Sequence, residues 1–117
     1  MLTYTFFFAV VCKIVIFASM FVFGKDIAEK YLSKHEVLRS SYLRWIDTVE
    51  AATFNTHNEL KALYPKADYV GNGRYVFDLK GNDYRMIVLT MFVGQTWFIR
   101  WIGTHAEYNK LKDCSII

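Results

Sequence analysis

The hydrophobic pattern of the second half of the chain changes from period two to a short helical signal within about 36 residues. Arg74 to Leu79 sets Tyr75 and Phe77 on one side and Arg74, Val76 and Asp78 on the other, as a half-buried strand would. Lys80-Gly81-Asn82-Asp83 then supplies residues that accept the positive φ of a tight reversal. Tyr84 to Val93 is nearly continuous apolar, the pattern of a central strand covered on both faces, broken only by Arg85 near its start. Gly94-Gln95 predicts a second reversal. Thr96 to Ile102 predicts a third strand, with Trp97, Ile99 and Trp101 on one side and Phe98, Arg100 and Ile102 on the other.

Thr104 and Glu107 follow at capping-box spacing, which predicts a helix start at Thr104 and puts His105, Tyr108 and Asn109 on one helical face. Upstream, Asp26 to Leu32 is a short amphipathic segment, and Ser33 to Glu36 is a second capping-box spacing that predicts the start of another helix. Leu38, Tyr42, Trp45, Val49 and Ala52 recur at steps of four and three, one apolar stripe facing away from Arg39, Arg44, Asp47 and Glu50. Thr56 to Glu59 predicts a short helix ended by Pro65, with Leu60 and Leu63 buried and Lys61 pointing elsewhere. Lys66 to Gly73 reads as a loop or irregular strand carrying the turn signal Gly71-Asn72-Gly73. The sum is an α+β fold: an N-terminal strand near Met20 to Phe23, helices packed on an antiparallel meander sheet, and a short C-terminal helix.

A chain of 117 residues supports one modest core. Its formal charge of +3 is compatible with RNA without pointing to it. Two cysteines, Cys12 and Cys114, make neither a zinc set nor a disulfide framework, and the chain reads as a reduced, cytoplasmic protein. Leu2 to Gly24 holds a single charge, Lys13. A spanning helix would place that lysine near the bilayer centre at a cost of about 2.5 to 3.5 kcal/mol, and neither a basic leader nor a small-residue cleavage site frames the segment. The simplest reading makes residues 1–19 an upstream extension, with translation starting at Met20 and residues 20–117 forming the domain.

Three side chains stand out chemically. Arg85 interrupts an apolar strand, and its planar fork suits a phosphate; the competing role is an ion pair with a carboxylate such as Asp78. His105 suits proton transfer near neutrality, against an ordinary role in capping or packing. Tyr108, on the same face, can orient the imidazole, stack on a base or donate to phosphate, and is a poor base unless cations lower its pKa. His35 and His57 have no partner pattern and read as structural or solvent-facing, and Asn82 as serving the turn. No metal-ligand spacing or phosphate-binding glycine loop is present in the sequence, so no cofactor is implied.

Leu60-Lys61 before Tyr64-Pro65, Arg74-Tyr75-Val76-Phe77, Gly81-Asn82-Asp83-Tyr84-Arg85 and Ile102-Gly103-Thr104-His105-Ala106-Glu107-Tyr108 together resemble, in order and spacing, the HigB toxins of bacterial type II toxin-antitoxin modules, a branch of the RelE-like ribonucleases. The resemblance spans Met20 to Lys110 and departs at Asn109, where the family commonly has Asp. It implies a RelE-like fold whose concave sheet face takes RNA, and a ribosome-dependent mRNA endoribonuclease acting without metal in the ribosomal A site, in contact with ribosomal RNA. It further implies Arg85, His105, Tyr108 and Lys61 as catalytic residues, with Arg74, Lys61 and Lys66 binding RNA. A HigA-like helix-turn-helix antitoxin would be the partner. The competing classes are a catalytically inactive RNA- or antitoxin-binding relic and a membrane-anchored small protein.

Overall fold

The computed structural model describes residues 20–117. The upstream extension expected at residues 1–19 lies outside the described residues. Five strands form one sheet in the order β1-β5-β4-β3-β2. They are β1 (Phe21–Phe23), β2 (Asp68–Gly71), β3 (Arg74–Leu79), β4 (Tyr84–Met91) and β5 (Thr96–Thr104). Helices α1 (Lys25–Leu32), α2 (Arg39–Glu50) and α3 (His57–Leu63) lie between β1 and β2, and α4 (His105–Tyr108) follows β5 directly. β2 to β5 pair antiparallel as a meander, while β1 pairs parallel with β5 through Phe21–Thr96 and Phe23–Phe98. A parallel pair needs a long crossover. Here the three helices and three further strands provide it, so β1 and β5, the first and last strands among the described residues, end up side by side.

The helices cover one sheet face. Ala28, Leu32, Tyr42, Trp45, Val49 and Leu60 pack with Tyr75, Phe77, Met86, Val88, Trp97 and Ile99, all buried. Trp45 meets Phe77 edge-on at 5.3 Å, and Phe54 stacks on Trp97 at 5.1 Å. At about 1.5 to 3 kcal/mol per fully buried large apolar side chain, this layer is the main source of stability. Gly24 turns β1 into α1 at φ 85°, and a Cβ there would lie 2.3 Å from the Ile99 carbonyl oxygen. Only glycine permits that approach.

Asp68–Gly71 is the irregular strand that the sequence reading allowed, its register shifting between Tyr69 and Gly71, and it brings the sheet to five strands among the described residues. Three details differ from the sequence reading. Ser33 opens no helix: it is the C-cap of α1, its hydroxyl donating back to the Lys30 carbonyl oxygen, and Glu36 pairs with Arg39 and opens a 3-10 turn. Leu63 is exposed, because α3 is only seven residues long and Leu60 alone faces the core. The third concerns β5. Val88 pairs with Ile99 while Ile87 pairs with Trp101, so Arg100 is an extra residue. This bulge reverses the alternation beyond it: Trp97, Ile99 and Ile102 face the helices, and Phe98 and Trp101 share the opposite face.

Candidate active site

The bulge decides what meets what at the far end of the sheet. With one residue absorbed at Arg100, Asp78, Arg85 and Gly103 form a register row across β3, β4 and β5 on the face away from the helices. Arg85 is the centre of that row, and its side chain is only 14% exposed. A guanidinium so placed needs partners in every direction. Nε lies 2.7 Å from Asp78 Oδ1, Nη2 donates to Asn82 Oδ1 at 2.7 Å, and Nη2 also approaches His105 Nδ1 at 3.1 Å. Its Cζ stands 5.2 Å above the centre of the Tyr108 ring. Among the described residues these contacts leave Nη1 unused, and an arginine nitrogen can donate to a phosphate oxygen.

His105 is aimed by the end of β5. Thr104 adopts an extended N-cap conformation, its hydroxyl accepts from the Glu107 N–H at 3.0 Å, and its own N–H donates to Glu107 Oε1 at 2.8 Å. The sequence spacing therefore forms a true capping box. The His105 N–H donates to the Asp83 carbonyl oxygen at 2.9 Å, which ties α4 to the β3–β4 turn. An arginine nitrogen can only donate, so the Arg85 contact makes Nδ1 the acceptor and leaves the ring hydrogen on Nε2. The Asn82 carbonyl oxygen, 3.4 Å from the same Nδ1, is then a contact without a shared hydrogen.

The α4 cap is itself braced from α1. The Tyr31 hydroxyl donates to Glu107 Oε1 at 3.0 Å, and the Tyr31 ring stacks on His35 with centroids 4.0 Å apart. The backbone N–H of Thr104, then the Tyr31 hydroxyl, hold the Glu107 carboxyl below its ordinary pKa. Tyr108 is protected on several sides. It touches Trp101 and the Cys114 thiol, and its phenol is pushed up to about 12, first by burial and then by Cys114, with Arg85 opposing. That hydroxyl remains a hydrogen-bond donor at neutral pH and is no base.

After α4 the last residues return across the same sheet face. Asn72 Nδ2 donates to the Ser115 carbonyl oxygen at 3.0 Å, and Arg100 Nε donates to the Ile117 carbonyl oxygen at 3.1 Å. Val76 and Ile87, paired on this face, are buried although no helix of the main core covers them. No sequence pattern announces this tail.

Of the residues singled out in the sequence, Arg85, His105 and Tyr108 are brought together. Lys61 is occupied elsewhere, because its Nζ donates to the Pro65 and Ala67 carbonyl oxygens at 2.8 and 2.6 Å and so fixes the turn between α3 and β2. That turn, with Lys66, Asp78 and Asn82, walls a cleft of about 710 Å³ beside Arg85. Lys66 is exposed there. Arg74 shares the face of Asp78 but sits four residues along β3, roughly 13 Å away at strand spacing, and its Nη1 donates to the Asn72 carbonyl oxygen at 2.9 Å. Asn109 closes α4 through its backbone N–H to the His105 carbonyl oxygen. His57, without a partner pattern in the sequence, is hydrogen-bonded to the Tyr75 hydroxyl on the helix side of the sheet. The Asn82 contact escapes sequence reasoning, whereas the Asp78 ion pair is one that it offered. The local pattern assigns Asn82 to the turn alone, though it stands three residues before Arg85, and it offers Asp78 only as the competing ion-pair partner, a contact that forms alongside the others.

The chain matches known proteins over this same region. Residues 39–111 match the HigB_toxin family, described as the RelE-like toxic component of a toxin-antitoxin system. The mRNA interferase HigB of Escherichia coli O6:H1 is 33% identical over 89 residues, 74% of this chain and 82% of that protein. The mRNA interferase toxin HigB of Escherichia coli K12 is 33% identical over 88 residues, 73% of this chain and 80% of that protein, and the mRNA interferase HigB of Shigella flexneri matches to the same extent. The α+β sheet with its helical layer is the RelE-like fold, and the chain belongs to the HigB family of RelE-like toxins.

Proposed function

We propose that this chain is the toxin of a toxin-antitoxin pair and an endoribonuclease that cleaves mRNA on the ribosome, in the A site and against ribosomal RNA, within the cytoplasm. The observation that carries the reading is the 3.1 Å contact between Arg85 and His105 on the sheet face away from the helices, in a chain whose relatives are named mRNA interferases. RNA can be cut by its own 2′-hydroxyl if that oxygen is deprotonated, the phosphate charge is neutralised and the departing 5′-oxygen is protonated. The O2′–P bond forms as the P–O5′ bond breaks, giving a 2′,3′-cyclic phosphate and a 5′-hydroxyl. In the tautomer set by Arg85, His105 gives its Nε2 hydrogen to the departing 5′-oxygen while the 2′-hydroxyl proton passes to water, and Arg85 receives the phosphate oxygens through Nη1 while Asp78 and Asn82 hold its other edge.

Tyr108, protonated and lying against Arg85, donates to phosphate or stacks on a base. Lys61 shapes the cleft wall through its two carbonyl bonds, and Lys66 and Arg74 hold the RNA backbone on either side. Small and with a modest set of acid-base groups, the protein relies on the ribosome to align the message, since orientation alone can supply a large part of a rate. A HigA-like helix-turn-helix antitoxin silences it.

Induced expression of residues 20–117 with genome-wide mapping of mRNA ends tests the proposal. Growth arrest with new 5′-hydroxyl ends inside translated codons is expected. Unaltered growth and no new ends would leave a binding relic in its place.

A further inference from the structure

A second depression borders the reacting cluster on the side opposite the 710 Å³ cleft. It lies between α1 and the β5 edge, beyond the three residues that pair with β1, and holds about 430 Å³. Lys30, Lys34, His35 and Arg100 rim it, with Trp101 and Tyr31 in its wall. No acidic side chain lines it among the described residues. Lys30, Lys34 and Arg100 are exposed, and among the described residues none of the three pairs with an acidic side chain. Arg100 is held in place by the Ile117 carbonyl oxygen through Nε, which leaves its terminal nitrogens to a ligand.

The groove meets the proposed active site at Trp101. Trp101 reaches the Tyr108 ring, 6.2 Å between centroids, and Tyr108 lies under Arg85. Arg85 is the middle of the row Asp78–Arg85–Gly103, so one cleft begins at the β3 end of the row and the other at its β5 end, two strand spacings or roughly 10 Å apart. The bulge at Arg100 produces both features at once: it turns Trp101 onto the site face and leaves Arg100 at the rim. Cations at the rim with an aromatic ring in the wall are the combination that binds single-stranded nucleic acid, charge holding the backbone and a ring stacking on a base. An acidic peptide would use the cations but has no use for the ring or for its contact with Tyr108.

We propose that the α1–β5 groove is a nucleotide subsite that holds the RNA residue adjoining the scissile phosphate, its base against Trp101 and its phosphate among Lys30, Lys34 and Arg100. The assignment rests on the reading of the chain as a ribonuclease and adds to it a path for the strand on either side of Arg85.

The test uses residues 20–117 and a fluorescein-labelled, uncleavable 2′-O-methyl RNA hexamer, followed by anisotropy across a salt series, together with cleavage of mRNA on programmed ribosomes. The Lys34→Glu/Arg100→Glu double variant changes two exposed side chains and leaves the core intact. Hexamer affinity is expected to fall tenfold or more in this variant, with the slope of log affinity against log salt becoming shallower by roughly 1.4, the value for two single-strand phosphate contacts. Trp101→Phe, which keeps a smaller ring, is expected to weaken binding less than Trp101→Ala. Trp45 and Trp97 are buried, so quenching of tryptophan emission by unlabelled hexamer reports Trp101. Wild-type cleavage together with unchanged hexamer affinity and unchanged cleavage in the double variant overturns the subsite and leaves the ribonuclease standing. Absence of cleavage by the wild type overturns the ribonuclease itself. Displacement of the hexamer by a poly-glutamate peptide, with no quenching by RNA, overturns the subsite in favour of an acidic protein partner.

Discussion

Tyr31 and Glu107, 76 positions apart in sequence, share a hydrogen bond of 3.0 Å that joins α1 to the cap of α4. Through Glu107 the bond reaches the Thr104 N–H, and through α4 it reaches His105 and Tyr108. Tyr31→Phe deletes that bond alone. A loss of about 1 kcal/mol is expected, the ordinary worth of a hydrogen bond, read as a lowered midpoint in urea. The rate of mRNA cleavage is expected to fall by more than that stability loss explains, because α4 is a single turn that carries both His105 and Tyr108.

The same carboxylate makes the fold acid-sensitive. Its pKa is depressed in the folded chain by the Thr104 N–H and Tyr31, so its contribution to stability is fully present above the unfolded value, near 4.3. That contribution is lost as pH falls through the depressed folded value. Urea unfolding between pH 6 and pH 2.5 is expected to show a steeper loss in the wild type than in Glu107→Gln, which lacks the titrating group. Superimposable pH profiles would remove Glu107 as a source of acid lability.

Gly103 matters for close approach rather than for backbone freedom. A Cβ there would lie 2.5 Å from the Trp101 ring and 2.8 Å from Glu107 Oε1. Gly103→Ala is therefore expected to displace the ring and strain the cap together, costing on the order of 1 to 3 kcal/mol as overpacking does. Cleavage should drop even where the variant remains folded by circular dichroism.

Asp78 and Arg85 form a pair that is neither exposed nor fully enclosed. For a fully buried pair, removal of one partner costs about 3 to 5 kcal/mol; the residual exposure here reduces the expectation for Asp78→Asn to roughly 1 to 2 kcal/mol. The asparagine keeps a side chain of the same shape beside Nε, so cleavage is expected to be weakened less than by loss of Arg85 itself. Equal losses would mean that the carboxylate charge, and not its position, supports the arginine.

Much of this architecture is legible in the sequence, because the signals are local. The capping box at Thr104 and Glu107, the meander turns and the α2 stripe are set by neighbouring residues, and each appears where its spacing puts it. The apolar run beginning at Tyr84 is the central strand its composition implies. What escapes depends on contacts between distant segments. Strict alternation assigns Trp101 to the side of Trp97, and only the extra residue against β4 moves it to the side of Arg85. Ser33 has the spacing of an N-cap, yet its hydroxyl serves the helix before it. The hydrogen bond between His57 and Tyr75 and the return of the tail to Asn72 and Arg100 join residues with no sequence relation.

The central claim is that Arg85 and His105 act on one phosphate. Single-turnover cleavage of mRNA on programmed ribosomes by the wild type, Arg85→Lys and His105→Ala measures it directly. Arg85→Lys keeps the charge but loses the fork, and is expected to slow cleavage about a hundredfold or more, the scale of a lost transition-state donor. His105→Ala is expected to be at least as slow, with the wild type leaving 2′,3′-cyclic phosphate and 5′-hydroxyl ends. Wild-type rates in both variants would contradict the account.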